Sequence, residues 1–174
     1  MSMNRIVAIM LLLFVIEGSL MPWIIPEGYG SRIIPHFIFV FVLFSALYGN
    51  RHMALLLGAG FGLLQDVVYF GQLLGLNFFA MGIIGYFTGV LLERKRATVM
   101  MAITVIGFAC ILYDTALFFI YQVFRITSAS YAWALLNHIL PSLFLQLAFA
   151  LVCYVPVRRM FESRKETGEN GEEE

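Results

Sequence analysis

Six apolar runs, at 6–22, 33–48, 53–70, 73–92, 99–121 and 135–157, limit what this chain can become more than any other feature. Each approaches or exceeds the roughly 17–25 residues a helix needs to cross about 30 Å of hydrocarbon. Barrel strands would be about ten residues long and alternate in polarity. The uninterrupted Ile38-Phe39-Val40-Phe41-Val42-Leu43-Phe44 does not alternate, so the runs read as helices.

Composition supports a bilayer setting. Residues of the AVILMFWYC class make up 61% of the 174 positions and charged residues 13%, against roughly half and about a quarter in soluble domains. A chain this short buries only roughly 70% of its unfolded surface, so much of that apolar area would face water if the protein were soluble. Basic residues are scattered between the runs, which leaves no footprint for nucleic acid. Cys110 and Cys153 lie inside apolar runs without metal or redox spacing and read as small hydrophobes. The opening run superficially fits a secretory signal but lacks a small-x-small site, so it is expected to stay as the first span.

The expected fold is all-α, a polytopic membrane bundle of six transmembrane helices over 1–161, followed by a charged, disordered cytoplasmic tail at 162–174. Short links such as Gly49-Asn50-Arg51 make consecutive helices antiparallel neighbours. Of the 11 basic residues, Arg5, Arg51, Arg94, Lys95, Arg96, Arg158, Arg159, Arg164 and Lys165 fall on one side, and Arg32 and Arg125 on the other. The positive-inside rule places the first group, and both termini, in the cytoplasm of a plasma-membrane protein. Trp23, Tyr29, Tyr131 and Trp133 then sit near the outer interface, where amphipathic rings are expected.

Three acids, Glu17, Asp66 and Asp114, interrupt spans one, three and five toward their outer ends, with Asn77, Asn137 and His138 at comparable depth. An ionisable group in hydrocarbon costs several kcal/mol unless it finds a partner, water or a proton, so this layer is expected to face the interior or a cavity. A helix-joining network, a water-filled cavity and a surface for a partner's helix or loop all fit. Proton conduction would repeat acids along one span, and none does. Catalysis by His138, Asp114 and a serine lacks a demonstrable nucleophile–base spacing. His36, His52 and His138 lack the His-x-x-x-His zinc spacing, so no metal or cofactor is expected.

Glycines give a second pattern. Gly58, Gly62 and Asp66 stand four apart, as do Gly85 and Gly89, and small residues at that spacing let helix backbones approach closely in a bilayer. Spans three and four are expected to pack tightly, with these glycines forming a helix-packing or partner surface. His138, Ser142, Gln146, Ala150 and Cys153 mark the inward face of the last span, and Pro141 is placed to kink or start it.

The block 58–89, with Gly-Ala-Gly-Phe-Gly-Leu-Leu-Gln-Asp-Val-Val-Tyr, Leu-Leu-Gly and Gly-Ile-Ile-Gly-Tyr, resembles the rod-shape-determining MreD family, particularly its Gram-positive form. Glu17-Gly18-Ser19, Ile34-Pro35-His36-Phe37, Asn137-His138-Ile139-Leu140-Pro141-Ser142 and Val155-Pro156-Val157-Arg158 extend the likeness over 5–161. The resemblance implies a non-enzymatic subunit of the cell-elongation machinery. Such a subunit works with the bitopic protein MreC and supports a peptidoglycan glycosyltransferase and transpeptidase. It also implies a bundle similar to that of vitamin-binding transporter substrate subunits. That similarity supplies an alternative function, capture of a vitamin or other small molecule for a transporter.

The topology is testable by labelling. After replacement of Cys110 and Cys153, a Lys95→Cys variant should resist a membrane-impermeant thiol reagent applied to intact cells. Labelling at that position from outside would overturn the orientation.

Overall fold

The computed structural model describes residues 3–19, 36–69, 73–92 and 98–169, with side chains as far as Arg159. The order is α1 (Met3–Ser19), α2 (Phe37–Tyr48), α3 (Arg51–Val68), α4 (Leu76–Leu92), α5 (Val99–Val123), a short α6 (Tyr131–Ala134), a π-helical turn (Leu135–Ile139) and α7 (Leu140–Glu169). No strand occurs among the described residues. Expectations about Trp23, Tyr29, Arg32 and 93–97 lie outside them.

The core is organised around α2. Its sequence, FIFVFVLFSALY, has no polar stripe, and every residue from Phe37 to Leu47 is buried. A helix that is apolar all round must be covered all round, and α1, α3, α4, α5 and α7 pack against it. Its 12 residues rise only about 18 Å, well short of a bilayer core of about 30 Å. The expected span at 33–48 is thus represented by a short, enclosed helix, with 33–35 outside the described residues.

Two helices among the described residues are long and apolar enough to cross a membrane, Val99–Val123 and Tyr131–Arg159. Only 33% and 28% of their most apolar windows are buried, whereas a soluble protein's core helix would be mostly covered. Phe108, Phe119, Phe144, Leu151 and Val152 stand at least half exposed. α4 adds an outward stripe of Phe79, Ile83, Phe87 and Val90. Patches of this extent are rarely tolerated in water, and lipid accommodates them.

α3 and α4 run antiparallel in a register that the glycines make possible. A Cβ on Gly62 would lie 2.5 Å from the Asn77 carbonyl oxygen, and one on Gly58 would lie 2.7 Å from that of Met81. From the α4 side, a Cβ on Gly85 would meet Val42 Cγ1 at 2.9 Å, and one on Gly89 would meet Arg51 Cα at 2.8 Å. Backbone therefore lies directly on backbone at Gly58, Gly62 and Gly89, while Gly85 makes room for Val42 of α2; steps of four residues keep one helix face in contact.

The last helix departs from regularity where its sequence requires it. Pro141 has no N–H to give the Asn137 carbonyl, and its ring crowds that group. The wider π turn ends at Ile139, two residues before it. Helical backbone continues to Glu169, so the first part of the stretch expected as a disordered tail, 162–174, is helical in backbone. α5 ends with Arg125 in the left-handed region (φ 55°). Ile126 N–H donates to the Tyr121 carbonyl (2.9 Å) and Arg125 N–H to that of Gln122 (3.0 Å), the paired bonds of a Schellman C-cap.

A Gly62→Leu substitution should separate α3 from α4 and destabilise the bundle by about 1–3 kcal/mol or more. Gly60→Ala is the matched control, because a Cβ there meets nothing within 4 Å. Thermal unfolding of detergent-purified protein should show a clear loss for the first and none for the second.

Candidate functional site

The first peptide N–H groups of a helix have no partner within it. For α2, the N-cap His36 makes no side-chain capping bond. Glu17, near the end of α1, supplies the missing acceptor: its Oε2 accepts from Ile38 N–H at 3.2 Å. Its Oε1 accepts from Gln65 Nε2 on α3 at 2.9 Å. The Tyr69 hydroxyl donates to the Phe14 carbonyl at 3.1 Å, and a side chain at Gly18 would collide with that hydroxyl.

The start of α4 repeats the arrangement. Gly75, with φ 91°, turns the chain into the helix but offers no side chain to cap it. Asp66 does so from α3, accepting from Asn77 N–H at 3.3 Å and Phe78 N–H at 3.1 Å. A carboxylate here also complements the positive end of the helix dipole. Asp66 is 1% exposed, and both its oxygens are in use.

α5 joins through Tyr113, whose hydroxyl donates to Asn77 Oδ1 at 2.7 Å. The Tyr113 ring stacks on Phe39 with centroids 4.4 Å apart and meets His36 edge-on at 5.0 Å. His36 Nε2 stands 3.5 Å from Asp114 Oδ1, long for a hydrogen bond, and Asp114 Oδ2 has no hydrogen-bond partner.

Beside Asp114 lies a cavity of about 260 Å³ between α5, the 124–130 connection and the last helix. His36, Asp114, Tyr121, Trp133, His138 and Ser142 contribute to its wall. The π turn carries His138 and Ile139 to this wall, and π turns inside helices frequently occur at functional sites. His138 packs edge-on to Trp133 with centroids 5.7 Å apart.

Of the polar residues marked in the sequence, Glu17, Asp66, Asn77 and Asp114 come to one end of the bundle, and His138 lines the same cavity as Asp114. Asn137 does not join them: its Nδ2 donates to the carbonyl of Trp133 in its own helix at 3.0 Å. Gly58, Gly62, Gly85 and Gly89 lie in the α3–α4 contact and against α2, not on the exterior. Gln65, His36 and Tyr113 complete the network, although only their positions beside an acid or a helix start hinted at it. Gln146, on the inward face of α7, is fully buried with both amide atoms unpartnered. No group of three or more His, Cys, Asp or Glu side chains suited to a metal occurs among the described residues.

Because Asp66 fills two backbone donors, Asp66→Asn, which keeps one acceptor oxygen, should retain more stability than Asp66→Leu, which keeps none. The leucine variant should lose about 1–3 kcal/mol, visible as a lower unfolding midpoint. Equal behaviour of the two would remove the capping role.

A family model described as rod shape-determining protein MreD matches residues 2–164. No curated protein and no solved structure matches the chain. The matched stretch takes in the polar network, the glycine contact and the cavity together, and the chain belongs to the MreD family of rod shape-determining proteins.

Proposed function

We propose that this protein is a non-enzymatic scaffold of the bacterial cell-elongation machinery, set in the plasma membrane by six spans, the short α2 enclosed by the other five helices, with both termini in the cytoplasm. Its partner is a bitopic MreC-like protein, and the pair supports a peptidoglycan glycosyltransferase and transpeptidase in lateral wall synthesis. Membership of the shape-determining family across nearly the whole chain is the observation that carries this reading.

The chemistry of the bundle is consistent with it. Glu17 and Asp66 are occupied by helix ends and an amide, which favours a structural role for them over proton transfer. The glycine faces are used within the chain, so partner recognition falls to exposed helix faces and connections. The stripe of Phe79, Ile83, Phe87 and Val90 on α4 is one such face. Lipid solvates an apolar face as well as a partner does, so selectivity there has to come from shape and close packing.

The cavity supports a second reading, in which the chain captures a small molecule for a transporter. Two measurements separate the readings. Under the scaffold reading, the protein purified in mild detergent brings down the MreC-like protein, and its depletion from a rod-shaped bacterium changes cell width. A well-folded protein with no affinity for that partner or the wall synthases, and unchanged width after depletion, would overturn the scaffold reading. A small molecule retained through purification would then favour the transporter reading.

A further inference from the structure

We propose that the cavity beside Asp114 binds a primary ammonium group carried on a small apolar or aromatic body. This inference rests on the cavity itself and not on the partner reading above.

The wall of the cavity selects the ligand by its chemistry. Among the described residues it includes no lysine or arginine to hold an anion, and the Asp114 carboxylate would repel one. Leu117, Phe118, Trp133 and Ile139 make much of it apolar or aromatic, which disfavours a heavily hydroxylated ligand. A purely apolar ligand would leave Asp114 in a dry site with one oxygen 3.5 Å from His36 and the other without a hydrogen bond. That carboxylate is part of the cavity wall, and a carboxylate oxygen accepts more than one hydrogen bond, so it has acceptor capacity to spare.

An ammonium group carries three hydrogens. Asp114 accepts one, and the Thr127 and Ser142 hydroxyls on the same wall provide further acceptor oxygens. Trp133 and Phe118 belong to the same wall, and aromatic rings attract a nearby cation through their ring electrons. A volume of about 260 Å³ admits the head and first carbons of an amphiphile, or a small aromatic amine. The shared chemistry is the primary ammonium, and its source is either an aminophospholipid headgroup or a free amine.

The test uses the full chain with Trp23→Phe, which leaves Trp133, of the two tryptophans, as the fluorophore in the cavity wall. In nonionic maltoside micelles, 2-phenylethylammonium should change Trp133 emission saturably. 2-Phenylethanol, of the same shape without the charge, should bind about tenfold or more weakly. Asp114→Asn should remove that preference, and Ala129→Phe, which fills the cavity while leaving the carboxylate in place, should abolish binding. Doping the micelles with phosphatidylethanolamine but not phosphatidylglycerol should raise the amine concentration needed if a lipid headgroup is the source. No effect of either lipid assigns a free amine. Equal binding of amine and alcohol, a preference unchanged in a folded Asp114→Asn protein, or equal competition by both lipids would overturn the proposal.

Discussion

The structure depends on where the first peptide N–H groups of α2 and α4 find acceptors. Neither helix start caps itself: His36 makes no capping bond and Gly75 has no side chain. Inside a bundle that excludes water, each unmatched donor costs a kcal/mol or more. Glu17 and Asp66 remove that cost from the preceding helices. In doing so they fasten α1 to α2 and α3 to α4. Gln65 links the two pairs, and Tyr113 attaches α5 through Asn77.

The same end of the bundle has to be held at a fixed distance for these bonds to form, and the glycines set that distance. Gly58 and Gly62 let the α3 backbone touch the carbonyls of Met81 and Asn77, which delivers Asp66 to the amides of Asn77 and Phe78 one turn further on. A methyl group at either glycine would push the helices apart and lengthen bonds already at 3.1–3.3 Å. Packing and capping are therefore one device. α2, covered by five helices, is the post against which it is built.

Much of this was legible in the sequence, for physical reasons that particular residues make plain. Uninterrupted apolar runs require helices when lipid replaces water, and the four-residue spacing of Gly58, Gly62, Gly85 and Gly89 marked helix faces that lie against neighbours. The depth of Glu17, Asp66, Asn77 and Asp114 placed them at one end. What these acids accept from was not legible, because a carboxylate in a span looks alike whether it meets a side chain, a proton or a distant backbone amide. Asn137 shows the converse: similar in sequence position, it is satisfied by its own helix. The shortness of α2 was hidden because 33–35 continue its apolar character. The π turn was signalled only by Pro141, which fits a kink, a helix start or a widened turn equally well.

The central claim, that an acid inside the bundle holds the start of the next helix, is tested most directly by hydrogen exchange at the Asn77 and Phe78 amides. In the wild-type chain both should be strongly protected. In Asp66→Leu their exchange should accelerate while amides in the middle of α4 remain protected. Unchanged protection at Asn77 and Phe78 in that variant would contradict the account.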